Sequence, residues 1–426
     1  MRTFAIIIAF VLAVGYPSET EAYAVLSHEA IVDSVWDTNI RPLLLRRFPG
    51  ATPEQIKEAH GYAYGGAIIQ DMGYYPHGSF FFSDLTHYVR SGDFVLALLR
   101  DSQDINGFAF ALGALAHYAS DNDGHPIGTN RAVPILYPKL KKKYGDSVTY
   151  EQDKLAHVKT EFGFDVLEVA HGRYAPDSYH DFIGFGVSAP LLEQAFRETY
   201  GLDLKAVLAD EDKVIGSYRH DVSQLLPKAT RVAWSLKKNE IMKDQPGMTK
   251  KKFLYNLSRA SYQKNWGQQY QPPTCGERFL AFLFRIVPKF GPLKVLQLRT
   301  PTPQTERMFE ASFNATLDRY RQLLNQVSSR QPTLPNDNFD TGEITGPGQY
   351  RLNDETHAKL LDALAQQNFG GASPELRAEL LTFYGSPDAP YATKRNRKAW
   401  AKVQIQVEQL KKATAVVARD ATSSAE

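Results

Sequence analysis

Histidine–carboxylate pairs at helical spacing constrain this chain more than any other feature. His117-Tyr118-Ala119-Ser120-Asp121 is followed by His125, and His157-Val158-Lys159-Thr160-Glu161 repeats the pattern. Residues four apart on a helix stack one turn above each other on a single face. One helix can thus offer two ligands to one ion. A lone pair of this kind arises often on exposed helices. Two pairs, together with His125 and the upstream His28, Asp71 and His87, exceed what one four-coordinate ion uses. The pattern points to a multinuclear metal centre carried by helices.

Helical periodicity dominates the rest of the chain, and alternating strand patterns are scarce, so the expected class is all-α. A helix is predicted from Pro53 to Gln70, with Gly73 just past its end. Ile105, Phe108, Leu112, Leu115 and Ala119 form an apolar stripe that leaves His117 and Asp121 on a second face. The string Asn122 to Pro126 is expected to end that helix. His125 would then sit in a turn, free to serve a different ion from His117. From Glu151 to Ala170 the stripe is Leu155, Val158, Phe162, Val166 and Val169. Asp153, His157, Glu161 and Asp165 form a polar line beside it. Such a line is ordinarily a solvated face, but its His and Glu have counterparts elsewhere. Asp153 and Asp165 are candidates to orient His157 or Glu161, with helix-surface solvation the alternative. His60, His77, His171, His180, His220 and His357 fall outside the pattern and read as surface or satisfied histidines.

Composition narrows the chemistry. Cys275 is the one cysteine in 426 residues, so an internal disulfide framework and a thiolate zinc site are both excluded. Ligands must be imidazole and carboxylate, which suits zinc. The formal charge of +2 argues against a nucleic-acid coat protein, and no stable nucleic-acid partner is expected. A zinc ion with an open position lowers the pKa of a bound water to near neutrality and makes it a nucleophile. Phosphodiesters need that help because their own negative charge repels hydroxide.

Five strings carry a resemblance. They are Tyr-Ala-Val-Leu-Ser-His at 23–28, Ala-Ile-Ile-Gln-Asp-Met-Gly-Tyr-Tyr-Pro at 67–76, Asp-Leu-Thr-His at 84–87, Ala-Leu-Ala-His-Tyr-Ala-Ser-Asp-Asn-Asp-Gly-His-Pro at 114–126 and His-Val-Lys-Thr-Glu at 157–161. In order and spacing the chain resembles the zinc-dependent phospholipase C family, which shares fold and site with the single-strand-specific zinc nucleases of fungi. It is also similar to the catalytic domain of glycosylphosphatidylinositol-specific phospholipase D.

The resemblance implies an all-α catalytic domain over 23–200 with three zinc ions. It implies Asp71, His87, His117 and Asp121 around the first ion, and His125, His157 and Glu161 around the second. His28 and a bridging Asp121 would hold the third, with the free amine and carbonyl of the mature N-terminal residue, Tyr23. The family usually has Trp there; the ligating groups are backbone atoms, so Tyr23 can supply them. Asp71 is also the candidate base for the attacking water. Three zinc ions against Asp71, Asp121 and Glu161 leave an excess of about three positive charges, which favours a phosphate ligand.

The expected organisation follows. Residues 1–22 read as a signal peptide, with Arg2, an apolar run from Phe4 to Val14, and cleavage near Ala22, implying a secreted or periplasmic protein. An uncleaved anchor is the alternative, although the run is short for a span. Residues 201–330 form a helical extension. Within it, 278–298 reads as a buried helix or hairpin, or as an interfacial element whose cations meet lipid phosphates. Residues 331–352, rich in Pro and Gly, read as a loop or linker, and 353–426 as C-terminal helices and a tail. The expected activity is phospholipase C-like cleavage of a phospholipid or other phosphodiester, with peripheral membrane contact. His–Glu in the second pair, where the nucleases usually have Asp, favours the lipid reading. Alternatives are a single-strand nuclease or nucleotidase, phospholipase D-type cleavage, or a zinc-binding protein without turnover. Tyr74, Tyr75 and Phe80 to Phe82 are candidates to line a headgroup pocket, or are core.

Overall fold

The computed structural model describes residues 25–170, 185–220, 298–330, 332–386 and 390–423. Tyr23, residues 1–22 read as a signal peptide, His171, His180 and all of 278–298 except Leu298 lie outside them. Among the described residues the chain is helical, with one isolated antiparallel bridge, Asn338 to Glu343, and no sheet. The all-α expectation holds. None of the described helices is long and apolar enough to cross a membrane.

The chain runs through α1 (Val25–Val35), a π-helical turn (Trp36–Ile40), α2 (Arg41–Arg47), α3 (Pro53–Gly66), a 3-10 segment (Ile69–Tyr74), α4 (Phe80–Tyr88), α5 (Ser91–Asp101) and α6 (Ile105–Asp123). A second π-helical segment (Gly124–Thr129) leads to α7 (Asn130–Leu136), α8 (Pro138–Tyr144) and α9 (Lys154–Ala170). Then come α10 (Ala189–Tyr200), α11 (Leu204–Val207), α12 (Glu211–His220), α13 (Pro303–Ser328), α14 (Arg351–Gln366), α15 (Pro374–Gly385), α16 (Tyr391–Arg395) and α17 (Arg397–Ser423).

Helix α6 is the axis. Asp104 caps it by accepting the Gly107 N–H at 2.7 Å, and it is buried from Gly107 to Asn122. Helices α1, α3, α5 and α13 pack around it. A reciprocal capping box between Thr52 and Gln55 starts α3. The α3–α6 crossing is close enough for backbone to meet backbone. A Cβ on Gly66 would strike the Phe110 carbonyl, and one on Gly113 the Ala63 carbonyl. Glycine is used here for close approach, and it brings the Ala67 carbonyl against the site face of α6.

Several sequence expectations are corrected. Helix α3 stops at Gly66, short of Gln70, and Asp71 lies on the 3-10 segment. That segment is pinned by the Ser83 hydroxyl, which accepts from Gly73 N–H at 3.0 Å and donates to the Gln70 carbonyl at 2.6 Å. His125 is not in a turn: it stands on the π-helical continuation of α6. Pro126 has no N–H to give, and a widened π turn accommodates the gap. Leu155 is 43% exposed, so the apolar stripe of α9 begins at Val158. The segment 332–350 is irregular, as read, but it is packed rather than free-standing. Phe339 is fully buried, and Gly342, at φ +72°, lets the chain press against the Asn122 carbonyl. The C-terminal helix α17 reaches Ser423.

Candidate metal centre

Six elements deliver the candidate ligands: α1 brings His28, the 3-10 segment Asp71, α4 His87, α6 His117 and Asp121, the π segment His125, and α9 His157 and Glu161. All eight side chains are buried. The polar line of α9 therefore faces inward. Three groupings have ligand atoms mutually within 4.8 Å: His28, His117 and Asp121; Asp71, His87 and His117; His125, His157 and Glu161.

Asp121 stands between the first two. Its Oδ2 lies 3.1 Å from His117 Nε2 and 3.4 Å from His87 Nε2, and its Oδ1 3.6 Å from His28 Nε2. A bridging carboxylate has this disposition. Asp71 Oδ1 is 3.3 Å from His87 Nε2 and 4.0 Å from His117 Nε2. The rings of His28 and His117 stack at 4.5 Å. In the third grouping, Glu161 Oε1 is 2.7 Å from His157 Nε2 and 3.3 Å from His125 Nε2. The third grouping coincides with the set implied for one ion. In the other two, His117 reaches both neighbours, whereas the resemblance assigns it to one ion.

The ring orientations are fixed from behind. His87 Nδ1 lies 2.8 Å from the Ser83 carbonyl and His117 Nδ1 2.9 Å from the Ala67 carbonyl. A carbonyl can only accept, so each Nδ1 carries a proton and each Nε2 is the nitrogen turned to the centre. Spacing along the sequence gives no sign of these backbone partners.

Burial and charge pull in opposite directions. Burial would lower His87 and His125, but carboxylates outweigh it. Asp121 and Asp71 hold His87 well above its ordinary range, and Asp121, Glu161 and Asp340 bring His125 to about 9. His28 is pushed well below its ordinary range by burial and by neighbouring His117. Burial would raise Asp121, yet His117 and His125 hold it well below the usual carboxylate range. Glu161 is likewise lowered by His157 and His125 against burial. Asp71 is raised by burial despite His117 and His87. Protons on the rings balance the carboxylates, a role that a divalent ion would take over.

The residues fit zinc. Both carboxylate oxygens of Asp121 and of Glu161, Asp71 Oδ1, and both ring nitrogens of His125 and of His157 are buried without a hydrogen bond. Buried polar atoms are almost always paired, and leaving so many unsatisfied is costly. Coordination satisfies them together, and an all-nitrogen-and-oxygen set in groups of three suits zinc with a position to spare.

Asp153 and Asp165 do not orient His157 or Glu161. Asp153 caps α9 by accepting the Ala156 N–H at 2.9 Å. Asp165 accepts the Leu26 N–H at 2.9 Å and the Ser27 hydroxyl at 2.7 Å, so it anchors the first turn of α1 beside His28. Two histidines outside the pattern are satisfied elsewhere, His60 on Asp33 at 2.8 Å and His357 on Glu379 at 2.8 Å. The sequence reading missed Phe339 and Asp340. The Phe339 ring lies 5.2 Å from His87 and 5.9 Å from His117, and its N–H donates to the His87 carbonyl at 3.2 Å. An aromatic residue between Asn338 and Asp340 in a Pro- and Gly-rich stretch was the one available signal.

Comparison with known proteins agrees with this geometry. Residues 27–209 match the family model described as zinc dependent phospholipase C, a span that contains every candidate ligand except Tyr23. No curated protein and no solved structure matches the chain. Over residues 27–209 the chain is similar to the zinc-dependent phospholipase C family.

Proposed function

We propose that this protein is a secreted or periplasmic zinc phosphodiesterase that cleaves phospholipids in the manner of a phospholipase C. The observation that carries the reading is the convergence of eight buried ligand side chains from six elements into three adjoining groupings, within a stretch of the zinc-dependent phospholipase C family. Three ions are proposed, the third completed by the amine and carbonyl of Tyr23 after cleavage following Ala22. Bound zinc supplies Lewis acidity toward the phosphoryl oxygens and lowers the pKa of a coordinated water.

The chain's own groups do the rest. Asp121 links two groupings and fixes their separation. The Ser83 and Ala67 carbonyls hold His87 and His117 in the tautomer that faces the centre. Asp71 is the proposed proton acceptor, and the rise that burial gives it makes it a stronger base once ionised. With zinc held by these groups, the excess positive charge would favour a phosphate ligand. Phe80 is 39% exposed and packs at 5.6 Å on Tyr74, whose ring lies 5.9 Å from His87. This aromatic path from the surface to the centre supports an amphiphilic substrate. Lys154, 5.7 Å from the Phe80 ring, adds a cation beside it.

The test is a zinc count on the purified protein with side-by-side assays on phosphatidylcholine, phosphatidylinositol and single-stranded DNA. About three zinc ions per chain and release of a phosphorylated headgroup are expected, with His117→Ala abolishing turnover. Release of the free headgroup moves the reaction to phospholipase D-type cleavage, and nucleotide release alone refutes the lipid substrate.

A further inference from the structure

We propose that Asp340 is a positioning residue of the metal centre: its Oδ1 stands behind His125 Nδ1 as the acceptor for that ring in the zinc-loaded protein, keeping His125 Nε2 turned to the ion shared with His157 and Glu161. The inference rests on the zinc reading above and extends the centre beyond the family-matched stretch, into the irregular segment that follows α13.

Asp340 is 1% exposed, and nearly every polar atom it has is committed. Its Oδ2 accepts the Tyr150 N–H at 2.8 Å and the Tyr350 hydroxyl at 2.7 Å. Its own N–H donates to Asn338 Oδ1 at 3.0 Å, and its carbonyl accepts from Asn130 Nδ2 at 2.7 Å. Four bonds thus fix where the carboxylate sits. The oxygen left over, Oδ1, has no hydrogen bond. It faces His125 Nδ1 at 3.6 Å, while Nε2 of the same ring lies 3.3 Å from Glu161 Oε1. The ring stands between a carboxylate on one side and the ligand cluster on the other.

The comparison with the other two groupings is direct. His87 and His117 each have a backbone carbonyl behind Nδ1. His125 Nδ1 has no hydrogen bond, and Asp340 occupies the place such an acceptor would take. The 3.6 Å separation exceeds the roughly 2.9 Å of a formed N–H···O bond, so a small rotation of the ring completes it. A carboxylate behind a ligating imidazole fixes its tautomer and strengthens it as a donor to the metal. Asp340 is too far from the rest of the third grouping to be counted within it. That separates a positioning role from direct ligation.

The test uses the full chain loaded with zinc. Total zinc in the wild type is measured first: if none binds, the zinc reading fails and the role of Asp340 fails with it. With zinc bound, the nitrogen-15 spectrum of the histidine rings is expected to show a protonated His125 Nδ1 with its proton shifted downfield. A His125 Nδ1 without a proton overturns the proposal and leaves the zinc reading intact. Chelator titration of Asp340→Asn is expected to release one zinc about 10- to 100-fold more readily, with the other ions held as in wild type. Asp203→Asn, which neutralises an exposed carboxylate paired with Arg197 in the same way, is the control and is expected to keep wild-type zinc affinity. Unchanged release in Asp340→Asn, or an equal loss in Asp203→Asn, overturns the proposal.

Discussion

Asp165 Oδ1 accepts a hydrogen bond from the Ser27 hydroxyl at 2.7 Å, tying α9 to the first turn of α1 across 138 residues of sequence. The two helices carry His157 with Glu161 and His28, so this contact sets the separation of two groupings. Burial pushes the Asp165 carboxyl up from 3.8 to about 7, against its bonds to Ser27 and Leu26. A carboxyl raised on folding stabilises the fold below its unfolded pKa, and that contribution is lost as pH rises through the folded value. For Asp165 the window runs from about 4 to about 7. At about 1.4 kcal/mol per unit the effect is on the order of 4 kcal/mol. Asp165→Asn, which cannot ionise, is expected to flatten the pH dependence of urea unfolding of the metal-free protein across this window. A slope equal to wild type would contradict the assignment.

The close α3–α6 crossing gives a second prediction. Gly113→Ala places a methyl against the Ala63 carbonyl, which helix backbone cannot yield without separating the helices. Overpacking of this kind costs about 1–3 kcal/mol. It would also pull the Ala67 carbonyl from His117 Nδ1, now 2.9 Å away. A lower melting temperature is expected together with weaker zinc retention, measured by thermal unfolding and chelator competition. A variant that melts lower but holds zinc as wild type would show that the crossing does not govern His117.

Metal uptake should release protons. His125 is raised to about 9 and His87 well above its ordinary range, in both cases because carboxylates outweigh burial. Both rings are therefore protonated near pH 7 in the metal-free protein, and zinc must displace those protons. Calorimetry of zinc binding in two buffers of different ionisation enthalpy should give release of about two protons at pH 7. Affinity should rise as pH approaches 9. The same groups give a stability term of opposite sign to zinc affinity. The raised His125 stabilises the metal-free fold below its ordinary 6.5, and that term is lost as pH rises through about 9. Zinc binding without proton release would contradict the charge balance described for the centre.

The helical class and the inward pairs on α6 and α9 were legible because ligand spacing and apolar stripes share one helical period. His117-x3-Asp121 and His157-x3-Glu161 needed no tertiary knowledge. The breaks were less legible. The end of α3 at Gly66 depends on backbone contact with α6, and the π turn at His125 depends on how the chain absorbs Pro126. Asp165 shared the polar line of its helix with Glu161, so its partner on α1 could not be told from spacing. Phe339 and Asp340 were hidden for a different reason. They act from an irregular segment, where no period relates a residue to a face.

The most direct test of the centre is anomalous scattering at the zinc edge from crystals of the zinc-loaded protein. Peaks are expected beside His28 with Asp121, beside Asp71 with His87 and His117, and between His125, His157 and Glu161. The first of these should be lost in a chain that retains residues 1–22. Peaks only at the molecular surface, with the buried groupings empty, would contradict the proposed centre.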